Sequence, residues 1–386
     1  MEVRKCIAVA TVICLAAALC VVGAQAAKAP KAPYLIGAVL DITGPASPLG
    51  TPERDTVQMI ADRVNKAGGI NGHPVRFIIY DNSSEETKCV MAVKRLIESD
   101  KVKAIIGPSQ TGTTLAIANI CETSKIPLIS CAAGVKITQP PKPYVFKTAQ
   151  SDVDAVAKLL DYLKAKRIKK IAFINVSNAF GASGRQQMEL QAPKAGISVV
   201  ATEAFGPDDK DMTAQLTRID GEKPQAVVCW GTNPGPAMVA RNMQQLGMKM
   251  PLFMSHGIAN KKFLELAGEA ANGVVFPAGR LIVANSIPNK DPQKKTLLAY
   301  AAQFKAAYGR DADTFGGHAW DAAQLVLRAM RRVGDNPAKI RAEIEKTKRF
   351  VGISGIFNFS PKEHNGLTKE AFVMVQVKGG KWTLLK

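Results

Sequence analysis

Between Lys101 and Gly134 the chain carries small polar residues at a spacing that suits anion binding. Ser109, Gln110, Thr111 and Gly112 follow a short apolar run, Val102 to Ile106, and precede helical periodicity through Leu115, Ile117, Ala118 and Ile120. A second apolar run, Pro127 to Ser130, ends in Cys131, Ala132, Ala133 and Gly134. This reads as one βαβ unit whose two strands end in turns with little side-chain bulk. Backbone N–H groups and hydroxyls at the carboxyl edge of a parallel sheet can then reach a ligand. Thr111 is expected to cap the helix, with the amides of Gly112 to Thr114 behind it forming an anion site. Gly107 and Gly112 resemble the spacing of a phosphate loop, but Thr113 stands where that loop needs lysine. A carboxylate needs less charge compensation than a triphosphate, and uncharged donors can hold it. Taken alone, the segment leaves two readings open: a carboxylate site, or a well-capped helix with no ligand.

Other chemistries find no support. The histidines His73, His256, His318 and His364 stand apart, and neither HExxH nor CxxC spacing occurs, so no metal centre or cofactor is expected. Gly181-Ala182-Ser183-Gly184 lacks the spacing of a nucleophile elbow, which argues against an enzyme. The formal charge is +19, yet Lys164, Lys166, Arg167, Arg328 and Arg331 are scattered along helical faces without interleaved aromatics. That pattern is a solvated basic surface, not a nucleic-acid interface.

Residues 1–26 read as a secretory signal: Arg4 and Lys5, an apolar run from Cys6 to Val22, and Ala24-Gln25-Ala26 as a small-x-small cleavage site. A retained anchor is the alternative. Export makes the expected location extracytoplasmic, in the periplasm. About 360 residues follow, enough for two domains. Cys89, Cys121, Cys131 and Cys229 lie in this part. Cys121 on a helix and Cys131 at the opposite strand edge are expected to be too far apart to bridge, so free, mostly buried thiols are expected.

Strand and helix signals alternate twice. The first series has strands at Tyr34 to Leu40, Val75 to Tyr80, Val102 to Ile106, Pro127 to Ser130 and Tyr144 to Thr148. The second has strands at Ile168 to Ile174, Ile197 to Thr202, Ala226 to Trp230, Leu252 to Met254 and Val274 to Phe276. Each series predicts a doubly wound α/β domain. A tail of helices near Pro292 to Tyr308, Gly317 to Val333 and Pro337 to Thr347 precedes strands near Gly355 to Phe359, Ala371 to Val377 and Trp382 to Leu385.

Specific runs now carry a resemblance: Ile42-Thr43-Gly44-Pro45, Asn65 to Gly72 (NKAGGING), Tyr80-Asp81, Ile106-Gly107-Pro108 with Thr111-Gly112, Pro127 to Ser130, and Phe180-Gly181. Across the whole mature chain the sequence resembles the type I periplasmic solute-binding proteins of ABC importers, in the leucine/isoleucine/valine-binding branch. The resemblance implies two Rossmann-like lobes joined by three crossovers, one of 27–148 plus 279–368, the other of 149–278 plus 369–386. It implies a monomer that closes on a solute without breaking a bond, and an inner-membrane permease as partner. A ligand-sensing subunit of a signalling receptor is an alternative use of the same lobes.

The family's ligand contacts fall, by the same resemblance, on nine residues. The carboxylate grip maps to Thr111 and to Ala132, Ala133 and Gly134; branched-chain binders have Thr at the last, which predicts a wider pocket here. Flanking aromatic positions map to Leu49, Phe180, Thr232 and Phe315. The acid that pairs an amino acid's ammonium maps to His256. Imidazole cannot replace a carboxylate against a buried ammonium. The expected ligand is therefore a small carboxylate lacking that group, aromatic or branched, with an amino acid as the alternative. Trp230 and Cys131 are expected to be packing residues.

Overall fold

The structure is a computed structural model that describes residues 31–385; the signal reading on residues 1–26 lies outside the described residues. The chain opens with β1 (Tyr34–Leu40), α1 (Ser47–Lys66), β2 (Val75–Asp81), α2 (Glu86–Glu98), β3 (Ile105–Ile106), α3 (Thr111–Thr123), β4 (Leu128–Ser130) and β5 (Val145–Lys147). Their strands form one all-parallel sheet in the order β2-β1-β3-β4-β5. Next come α4 (Asp152–Ala165), β6 (Lys170–Val176), α5 (Ala179–Gln191), β7 (Ser198–Phe205), α6 (Thr213–Gly221) and β8 (Ala226–Trp230). The series continues with α7 (Gly235–Gln245), β9 (Leu252–Met254), α8 (Lys261–Ala267) and β10 (Val275–Gly279). After α9 (Lys294–Tyr308), α10 (Thr314–Val333) and α11 (Pro337–Glu345), a small antiparallel pair forms from β11 (Phe350–Val351) and β12 (Ile356–Phe357). The final strands β13 (Phe372–Lys378) and β14 (Lys381–Leu384) pair antiparallel at the edge of the second sheet, ordered β14-β13-β10-β9-β8-β6-β7. The type I periplasmic binding protein fold expected from the sequence is the one observed.

Near-continuous apolar runs such as YLIGAVL in β1 suit a parallel sheet covered on both faces. Residues of β1, β3 and β4 pack on one face against α10, and on the other against α2 and α3. Both faces of the second sheet are likewise buried, one under α4 and the other under α6, α7 and α8. Each fully buried Leu, Ile or Phe contributes roughly 1.5–3 kcal/mol to this arrangement.

The chain passes from one sheet to the other between Lys147 and Asp152, returns after Gly279, and crosses again before Phe372. Side chains tie the crossings together. Thr148 Oγ1 donates to His318 O at 2.9 Å, Gln150 Nε2 to Ser354 O at 2.8 Å, and Asn365 Nδ2 to Ala149 O at 2.9 Å. Several elements differ from the sequence reading. α1 begins at Ser47 instead of Pro52, β3 spans only Ile105–Ile106, and α8 and β11 have no counterpart in that reading. Gly50 explains part of the first difference. Any side chain there would collide with the Asp41 backbone, so a poor helix former lets α1 start hard against the end of β1.

A candidate ligand-binding cleft between the two sheets

The carboxyl ends of both sheets face one cavity of about 200 Å³. In the first sheet this edge holds the point where β1 and β3 lead off in opposite directions, the usual ligand crevice of an open α/β sheet. The segments after β1, β2, β3 and β4, including the first turns of α1, α2 and α3, supply Leu49, Glu86, Ser109, Thr111 and Ala133. Those after β6, β8 and β9 supply Phe180, Thr232 and His256; α10 adds Phe315 and His318.

The polar wall is built at the start of α3. Its cap is Gln110, in extended conformation and without a side-chain cap bond, so the expectation that Thr111 caps the helix is corrected. Gln110 O takes the Thr114 amide at 3.0 Å and the Thr113 and Thr114 hydroxyls. The amides of Thr111, Gly112 and Thr113 have no acceptor among the described residues, as the first turn of a helix dictates. Thr111 is free of the capping duty, and its hydroxyl oxygen accepts the Gly134 N–H at 3.2 Å. Its own proton has no acceptor among the described residues.

That bond revises the expected grip. Gly134 does not line the cavity, and a Cβ added to it would collide with the Thr111 methyl, so the position is filled and not wider. Ala132 N–H is also spent, donating to Ser130 Oγ at 3.1 Å. Of the three turn amides, Ala133 N–H is the one without a protein acceptor among the described residues. The donors on this wall without a protein acceptor among the described residues are therefore Ala133 N–H, Thr111 O–H and the first amides of α3.

Behind this wall lies chemistry that sequence reasoning missed. Ser109 Oγ donates to the buried Glu53 carboxyl and accepts Asp41 N–H at 3.2 Å, while Gln110 Nε2 donates to Asp41 Oδ1 at 2.9 Å. Burial pushes the Glu53 carboxyl well above the usual carboxylate range and raises Asp41 as well. Lys147 is wholly buried and holds the Ala133 carbonyl at 2.6 Å. The available signal was a lysine inside the apolar strand YVFKT. Glu86 stands at the cavity with its carboxylate beside Gly112.

The opposite wall is aromatic. Asn178 caps α5 by accepting Phe180 N–H at 3.1 Å and Gly181 N–H at 3.0 Å, which fixes Phe180 at the cavity. His256 sits edge-on to Phe180, Trp230 and Phe372, with centroids 5.6, 5.9 and 5.4 Å away. Neither ring nitrogen of His256 has a hydrogen-bond partner, and its side chain is 6% exposed. Burial, helped by His318 and Lys147, pulls its pKa down to about 3, so the imidazole is neutral. His318 is also held at about 3 by burial and Lys147, with Nδ1 2.8 Å from Ser354 Oγ. A neutral imidazole offers one donor and one acceptor and repels no anion.

Eight of the nine expected site residues thus meet at one cavity, with Gly134 the exception. Trp230 is fully buried against Phe173 and Phe180. The four cysteines are buried and unjoined, and burial raises each thiol, Cys89 to about 12. No cluster of His, Cys, Asp and Glu among the described residues is arranged to hold a metal ion. Two contacts join the two halves outside this cavity. Asn260 Nδ2 donates to Pro48 O at 3.0 Å, and Lys261 pairs with Asp311. Pro48 O is available because Pro52, four residues on within α1, has no N–H to give it.

Comparison with known proteins agrees with this architecture. Residues 33–381 match the family model described as periplasmic binding protein. The Leu/Ile/Val-binding protein BraC3 of Rhizobium johnstonii is 24% identical over 90% of this chain and 92% of its own length. The leucine-, isoleucine-, valine-, threonine- and alanine-binding protein of Pseudomonas aeruginosa is 25% identical over 83% and 84%. An extracellular ligand-binding receptor from Rhodopseudomonas palustris superposes with a TM-score of 0.87 at 26% identity, covering 92% of this chain and 100% of that one. The branched-chain amino acid transporter substrate binding protein LivJ from Streptococcus pneumoniae, solved with isoleucine, shares the fold with a TM-score of 0.81 at 24% identity, over 92% and 99%. The chain belongs to the periplasmic binding protein family, as a non-enzymatic binding protein; the relatives it resembles are named for binding leucine, isoleucine and valine, and the Streptococcus pneumoniae structure as a transporter substrate binding protein.

Proposed function

We propose that this protein captures a small monocarboxylate lacking an α-ammonium group, an aromatic or branched carboxylic acid, and presents it to an inner-membrane permease. The protein acts as an exported monomer in the periplasm, its lobes of 27–148 plus 279–368 and 149–278 plus 369–386 closing on the solute. The observation that carries the reading is His256: a residue of the cavity lining, buried and neutral, with neither ring nitrogen hydrogen-bonded. An uncompensated ammonium buried beside it would cost several kcal/mol, whereas the N–H of the ring can serve a second oxygen on an acid. Phe180 and Phe315 flank the apolar body, and Thr111 with Ala133 takes the carboxylate.

Glu86 favours a second reading, an amino acid ligand, because its carboxylate lines the same cavity and the relatives above are named for such ligands. Mass spectrometry of material released from the purified protein, followed by a thermal-shift screen of carboxylic acids and amino acids, separates the two. Stabilisation by phenylacetate or 4-methyl-2-oxopentanoate but not by leucine is the expected result. Stabilisation by leucine that is lost in Glu86→Gln would establish the second reading.

A further inference from the structure

A chain of hydrogen bonds leads from a buried charge to the cavity. Lys147 Nζ donates to Ala133 O at 2.6 Å and to Gly134 O at 3.3 Å. Ala133 O and Gly134 N–H are the two ends of one peptide group, and that N–H donates to Thr111 Oγ1 at 3.2 Å. The Thr111 hydroxyl is then left with its proton for the cavity it lines. A peptide whose oxygen is held by an ammonium is a stronger donor at its nitrogen, and each bond in such a chain polarises the next. We infer that Lys147 is a positioning residue for anion capture: through the Ala133–Gly134 peptide and the Thr111 hydroxyl it supplies the positive charge that balances the ligand's carboxylate without touching it. The inference rests on the carboxylate grip of the proposed function, though not on the rest of the ligand.

The surroundings of Lys147 argue for more than a structural role. The ammonium is fully buried, and both of its acceptors are backbone carbonyls. Asp152 and Asp154 on α4 and Glu363 in the loop after β12 act on it through space, with the Ser183 hydroxyl beside Asp152. A buried charge without a direct counter-ion is costly, and a bound carboxylate relieves part of that cost. Burial already pulls the Lys147 pKa down to about 8. The other groups within its field are His256 on the loop after β9 and His318 on α10, both neutral above pH 3 or so. Asp152 and Asp154, raised to about 6 by burial, are ionised above that pH, and Lys369 sits near Asp154. Asp313 and Asp321, raised to about 7 by burial, and Glu53, raised well above the usual carboxylate range, reach the same pH range, so Lys147→Met and the neutral amide are what assign a break to Lys147.

The sign follows. A bound anion favours the ammonium form and raises its pKa, so affinity is full below about 8 and falls as the free protein loses the proton. Calorimetry with phenylacetate should show constant affinity from pH 6.5 to 7.5 and about ten-fold weaker binding at pH 9.5; the neutral phenylacetamide should show no such break. Lys147→Met should bind phenylacetate at least about ten-fold more weakly at pH 7 and without the break. Asp152→Asn removes a carboxylate that holds the ammonium charged, and should move the break to lower pH. If Lys147→Met fails to fold, a flat profile of the unmodified protein to pH 9.5 overturns the inference by itself. Loss of binding in Thr111→Val with none in a folded Lys147→Met overturns the relay and leaves the carboxylate grip standing. Full binding in both variants removes the grip itself. Leucine carries the same carboxylate, so its use between pH 6.5 and 8.5 keeps the relay testable should the ammonium-free ligand class prove wrong.

Discussion

The two walls of the cleft solve opposite problems. On the first-sheet side, buried polar groups are largely spent on one another: Ser109 on Glu53 and Asp41, Gly134 on Thr111, Ala132 on Ser130. On the second-sheet side, His256 lines the cavity with neither Nδ1 nor Nε2 hydrogen-bonded, where the first wall leaves Glu53 Oε1 without a partner behind it. Satisfied networks are stiff, and stiffness suits a grip that every ligand of the class shares. Unsatisfied buried groups are expensive unless the ligand answers them, which suits the wall that chooses among ligands. On the proposed function, anchoring and selection thus fall to different walls of the cleft.

The largest effect expected from breaking the first wall comes from Gly134→Thr. A Cβ there collides with the Thr111 methyl, so the hydroxyl is displaced and binding should fall by about a hundred-fold or more, roughly 3 kcal/mol, in a titration with phenylacetate. Thr111→Val keeps the shape but removes a donor to a charged group. It should cost about 1.5–3 kcal/mol, ten- to a hundred-fold in dissociation constant. On the second wall, His256→Glu should change preference more than strength. Supplying a carboxylate is expected to raise leucine affinity about ten-fold and lower that of phenylacetate, measured by paired calorimetric titrations. Smallest is Asn260→Ala, which removes the bond to Pro48 O between the two halves of the molecule. It should weaken every ligand by about 1 kcal/mol without changing their order, because it acts on closure and not on recognition.

The same contrast explains what the sequence made legible. Strands such as Tyr34 to Leu40 announce themselves as unbroken apolar runs, and the doubly wound order follows from the regular alternation of strand and helix. Thr111 and the Ala132 to Gly134 turn were legible as small residues ending two strands, whereas Leu49, Phe180, Thr232, His256 and Phe315 were reached through the family resemblance. What stayed hidden depends on contacts between distant segments. Thr111 looks like a cap until Gly134, 23 residues away, is seen to donate to it. Gly134 looks like spare room until the Thr111 methyl fills it. The start of α1 was masked by Pro48, Gly50 and Pro52, all poor helix residues tolerated because Asp41 and Asn260 lie against them. Lys147 gave a faint signal, a charge inside an apolar strand, and its meaning lies in the carbonyls it meets after folding.

The central claim, that the selecting wall has no place for an ammonium, is tested most directly by titrating the ligand-free, unmodified protein with phenylacetate and with leucine at pH 7 by calorimetry. The account predicts saturable binding of phenylacetate, with leucine at least about a hundred-fold weaker, since an unpaired buried ammonium forfeits roughly 3 kcal/mol or more. Micromolar or tighter binding of leucine, with phenylacetate weaker, would contradict it.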